Sequence, residues 1–147
     1  MTNCGNCIHN TIGKLGPLIG RVLIAALFIP SGLMKIGNFA GTADHMAQNG
    51  LPMSQVLLVL TIMIELGGGL MLLFGWRARE AAFVMFLFLI PVTLVFHPFW
   101  NIADAAAHYQ QQIHFMKNIA IMGGLLFVAG FGSGPLSLDG GGAPKAA

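Results

Sequence analysis

The sequence predicts an all-α integral membrane protein, a four-helix bundle with antiparallel neighbours and both termini in the cytoplasm. Three observations carry that expectation. Of 147 residues, 56% are hydrophobic and only 8% charged, against roughly 25% charged in an average soluble domain. A soluble globule of this size would leave much of that apolar surface in water. The apolar residues gather into four stretches, about 18–36, 53–76, 81–100 and 113–131. Each is close to the roughly 20 residues a helix needs to cross the hydrocarbon core. The links between them are short, which favours antiparallel neighbours. High hydrophobicity excludes intrinsic disorder. Seven Lys and Arg against five Asp and Glu form no nucleic-acid footprint.

The first stretch carries Arg21 and Lys35 near its ends, and with no small-residue cleavage site behind it reads as a retained anchor. The second holds a single charge, Glu65. The third runs into Phe96, Phe99 and Trp100, an aromatic belt of the kind found at the membrane interface. The fourth contains Lys117. Backbone groups in lipid must bond within their own segment, so these stretches are helices. Lys14, Arg21, Arg77, Arg79 and Lys145 fall on the side of the termini, with only Lys35 and Lys117 opposite. Positive charge marks the cytoplasmic side, which places both termini in the cytoplasm. Residues 1–14 read as an N-terminal tail, 15–132 as the membrane domain and 133–147 as a flexible Gly-rich tail.

Ionisable groups at bilayer depth need a partner or a task. At 1.5 Å per residue, Glu65 lies about 18 Å along its helix, near the midplane. Arg21 enters from the cytoplasmic side, and its long side chain spans the remaining height. The expected pair is therefore Arg21–Glu65, a buried ion pair fixing helix register. The alternative makes Glu65 a catalytic proton carrier, its carboxyl neutral through desolvation.

The outer half collects Lys35, His97, His114, Lys117 and Asn118. His114, Lys117 and Asn118 share one helical stripe, while Arg21, Phe28 and Lys35 recur every seven residues. Small residues at Gly67–Gly69 and Gly123–Gly124 suit close helix packing. Together they predict one polar, partly apolar-lined ligand-binding pocket opening toward the outer face, with lysine snorkelling to headgroups as the competing account. No metal is expected, since His97, His108 and His114 lack the i, i+4 spacing of a ligand pair. Cys4 and Cys7 form a lone CxxC with His9 beyond it. Covalent haem attachment needs the histidine directly after the second cysteine, which leaves a redox thiol pair, half of a metal site shared between chains, or two idle reduced thiols.

These residues resemble a known family. Gly20-Arg21, Ser31-Gly32-x-x-Lys35, Glu65 with Gly68-Gly69, Phe96-His97-x-Phe99-Trp100, Lys117-Asn118 and the ending Gly134 to Asp139 look like the DoxX family of small bacterial membrane proteins. The resemblance spans about residues 14 to 139 and leaves out Cys4 and Cys7. It implies four membrane helices and a place in a bacterial or archaeal plasma (inner) membrane. About function it implies less: the family is named for a subunit associated with an archaeal quinol oxidase. Relatives act in thiosulfate:quinone oxidoreduction or in membrane assemblies handling thiol stress. The expectation is a quinone- or quinol-interacting subunit or accessory of a membrane redox complex. It would hold no cofactor of its own beyond a possible quinone, and would work with other membrane or peripheral redox subunits. Partners expected besides these are membrane lipid and further copies of the chain, and no nucleic acid. The alternatives are a non-catalytic scaffold and a small-solute or proton conduit.

Overall fold

Helical periodicity and length, not a soluble core, organise the chain. The structure is a computed structural model that describes residues 4–140, with side chains from residue 10 onward. The elements are α1 (Cys4–Gly37), α2 (Phe39–Gln48), α3 (Ser54–Phe74), α4 (Ala78–Phe96), a single 3-10 turn (Phe99–Asn101) and α5 (Ala105–Phe131). Among the described residues, four helices are long and apolar enough to cross a membrane: α1 from Asn10, α3, α4 and α5. Their outward faces carry large apolar side chains such as Leu23, Phe83 and Phe127, at 63%, 50% and 64% exposure. That surface is intelligible against lipid and not against water.

α1 and α3 run antiparallel along two facing heptad stripes. On α1 the stripe is Arg21, Phe28 and Lys35; on α3 it is Leu58, Glu65 and Leu72. Glycines set how closely they approach. A Cβ on Gly32 would meet Leu66 Cγ at 2.7 Å, and one on Gly69 would meet Ile29 Cγ1 at 2.8 Å. α4 packs on α3 through Gly68, where an added Cβ would meet Met85 Sδ at 2.5 Å. α5 closes on α4, and Asn118 Nδ2 donates to Thr93 Oγ1 at 3.1 Å.

The buried side chains form two apolar clusters. One, on the side of the chain ends, joins Phe28, Leu72, Ala82, Met85, Leu89, Met122, Leu125 and Val128. The smaller one gathers Ala43, Met46 and Leu58 beneath α2. Glu65 lies on α3 between them.

Three boundaries depart from the sequence reading. α1 is already helical at Cys4, where a tail was expected. Cys4 and Cys7 fall in the stretch whose side chains lie outside those described, so their proposed redox role has no geometry here. α5 begins at Ala105 because Asp104 caps it, accepting from Ala107 N at 2.8 Å. The third difference is at the C-terminal end. Residues 133–140 do not form a flexible tail but a strap that returns to the bundle. Leu138 N donates to Phe74 O at 3.1 Å and Asp139 N to Gly75 O at 2.9 Å. Asp139 accepts from Arg77 N at 2.8 Å and Ala78 N at 3.1 Å, satisfying donors that the start of α4 leaves unpaired.

Candidate functional site

The expected Arg21–Glu65 pair does not form. Arg21 is 1% exposed, and its guanidinium turns toward the end of α3. Nη1 donates to Leu72 O at 2.8 Å and to Leu73 O at 3.4 Å, and Nη2 donates to Leu136 O at 2.5 Å. The last carbonyls of a helix have no intrahelical partner and sit at the negative end of its dipole. A planar cation with several donors suits three carbonyls better than a point charge would. Gly75 makes the contact possible: its φ is +65°, and a Cβ there would collide with the Arg21 guanidinium.

Glu65 instead faces Lys35. Both carboxylate oxygens lie within hydrogen-bond distance of Lys35 Nζ, at 3.0 and 2.9 Å. The Glu65 side chain is 8% exposed and that of Lys35 25%. Ser31 Oγ accepts a further bond from Nζ at 2.6 Å. The lysine therefore turns inward rather than outward to headgroups, and the pair is charge-neutral and multiply bonded, the condition under which a buried ion pair is tolerable.

This pair lines a cavity of about 350 Å³ in the half of the bundle that holds α2. The cavity brings together Lys35, Glu65, His97, Lys117 and Asn118, with Phe28, Phe88, Leu89 and Phe96 among its apolar walls. Four of the five residues expected to bind ligand thus reach one space, together with the expected proton carrier. The fifth, His114, stands behind it, stacked on His97 with ring centroids 5.4 Å apart. Lys117 Nζ donates to His114 Nδ1 at 3.4 Å. His97 Nδ1 donates to the Gln111 amide oxygen at 2.7 Å, an arrangement that in the neutral ring makes the other nitrogen an acceptor.

The sequence reading missed the contribution of α2. Thr42, His45 and Met46 form part of the cavity wall, and Thr61 adds a hydroxyl one turn before Glu65. His45 stacks on Phe96 at 5.8 Å. The signal was present: Phe39, Ala43 and Met46 recur at helical spacing with Thr42 and His45 between them. Among the described residues, no group of three or more His, Cys, Asp and Glu is placed to hold a metal ion.

A helical bundle with four membrane-crossing helices and a largely apolar cavity lined by one ion pair defines a small multi-pass membrane protein. The DoxX family model matches residues 16–98, and the chain belongs to that family. It is similar to inner membrane protein YqjF of Escherichia coli (strain K12), 38% identical over 125 residues, covering 85% of this chain and 90% of that protein. It is also similar to inner membrane protein YphA of the same organism, 29% identical over 122 residues, covering 83% and 86%. No solved structure matches. The chain is accordingly a multi-pass inner-membrane protein. The matched range holds Arg21, Lys35, Glu65 and His97 and stops before α5, which carries Lys117 and Asn118.

Proposed function

We propose that the cavity binds the head group of a quinone or quinol, and that the protein serves as a subunit or accessory of a membrane redox complex. One observation carries this reading: the Lys35–Glu65 pair, bonded at 2.9 and 3.0 Å, lines a cavity of about 350 Å³ with aromatic and aliphatic walls. A quinone head needs an apolar slot with a few convergent donors and acceptors. Lys35, Lys117 and the Asn118 amide donate, while Glu65 accepts.

Quinol oxidation releases two electrons and two protons. In this reading Glu65 takes one proton from a quinol hydroxyl as general base, and Lys35 holds the developing quinone carbonyl. The second hydroxyl proton goes to His97, at the ring nitrogen not bonded to Gln111. The electrons pass to a cofactor-bearing partner subunit.

The test is protein purified in mild detergent with native lipid, extracted for quinone beside Glu65→Gln and Lys117→Met. Near-stoichiometric quinone in the parent and its loss from both folded variants is the expected result. Quinone-free parent protein, isolated together with other subunits, would replace this reading with the scaffold.

A further inference from the structure

A second cavity, of about 240 Å³, adjoins the first, and Met46, Thr61, Phe88, Val92 and Phe96 line both. Its remaining wall is aliphatic, with Leu60 and Ile64 of α3 facing Pro91 and Val95 of α4. Thr61 is the one polar residue in its lining, and no charged or imidazole side chain contributes. The cavity opens on the outward face of the α3–α4 seam, where Leu60 is 45% exposed.

We infer that this second cavity receives the apolar tail of the same molecule whose head occupies the first. The ligand is then a long-tailed lipid that enters sideways from the bilayer between α3 and α4, and not a water-soluble compound. The inference rests on the head-group reading above and extends it to the substrate class. The shared wall argues for one molecule: ionic and imidazole groups are confined to one cavity, aliphatic side chains line the other, and Phe88 and Phe96 stand at the boundary between them. A phospholipid acyl chain lying alone on the seam would make no use of the neighbouring cavity that holds the ion pair.

The experiment measures binding of two probes to detergent-purified protein: a quinone with a polyisoprenoid tail and the same quinone without one. Val95→Trp and, separately, Leu60→Trp place an indole in the second cavity. Partition of the tailed probe into micelles cancels when each variant is compared with the parent. The expected result is a loss of at least about tenfold in affinity for the tailed probe, with affinity for the tailless one unchanged. Unaltered affinity for the tailed probe in both variants would overturn the tail site and leave the head site standing. Equal loss of both probes would overturn it too, by showing that these residues only shape the head cavity. Displacement of a bound phospholipid with no effect on quinone would reassign the space to an acyl chain. Failure of the parent to bind either probe would instead strike at the head-group reading itself.

Discussion

The two ends of this bundle each receive a cation from the same stripe of α1 and use it in opposite ways. Near the chain ends, Arg21 binds backbone carbonyls of α3 and of the C-terminal strap, with no carboxylate among its hydrogen-bond partners. At the other end, Lys35 binds a carboxylate and a hydroxyl beside a cavity. The first arrangement closes a helix terminus. The second leaves a charge-neutral pair in the wall of a cavity. Arginine suits the first task because its fork serves several fixed acceptors, and lysine the second because it is a compact charge on a flexible stem. Placing an ionisable residue in a membrane helix is thus not by itself a sign of a functional site. Its partner decides.

The comparison is broken most directly at Arg21. Arg21→Met leaves the Leu72 and Leu136 carbonyls without their donor, and each buried unsatisfied group costs about 1–3 kcal/mol. The largest fall in thermal stability in detergent is expected here, and Arg21→Lys should recover little of it, because a point charge cannot span these acceptors. An unchanged melting temperature would show that the clamp is ornamental.

Gly75→Ala ranks next. A side chain at positive φ costs about 1–2 kcal/mol, and its Cβ meets Arg21 and Ser137 besides. Lower stability in Gly75→Ala, with little further loss when it is combined with Arg21→Met, would show that both act on one contact.

Asp139→Ala removes the carboxylate that caps α4 from more than 60 residues away in sequence. Loss of a cap costs about 1 kcal/mol. Limited proteolysis of the strap should become faster, and equal cleavage rates would contradict its docking.

The smallest effect on stability is expected from Lys117→Met. Lys117 is exposed and its hydrogen bond is a long one to His114. Its melting temperature should match the parent while extracted quinone falls. Full retention of quinone would remove Lys117 from the site.

Much of this arrangement was legible in the residues. Four apolar stretches of spanning length identify the helices, and the charges they contain identify the positions to explain. Lys35, His97, Lys117 and Asn118 of the expected outer set line one cavity, His114 stands outside it stacked on His97, and Glu65 joins them from mid-helix. The partner of Arg21 was not legible. Height along a helix made Glu65 its natural counter-charge, but the true acceptors are backbone carbonyls, which carry no side-chain signature. The register of α1 on α3 is set by the close approach at Gly32 and Gly69, and that brings Lys35, not Arg21, opposite Glu65. The strap was hidden for a similar reason. Its Gly-rich composition reads as a linker, while its ordering comes from Asp139 and from Gly134, where a Cβ would collide with Pro17. Both contacts are tertiary.

The central claim is that the Lys35–Glu65 pair serves a ligand and not the fold. The most direct measurement is the double variant Lys35→Met with Glu65→Gln, compared with the parent in thermal stability and in extracted quinone. Removing both charges together also removes the cost of burying them, so stability should stay near that of the parent. The account predicts a folded protein that has lost its quinone. A double variant that retains quinone at the parent's stoichiometry would contradict it.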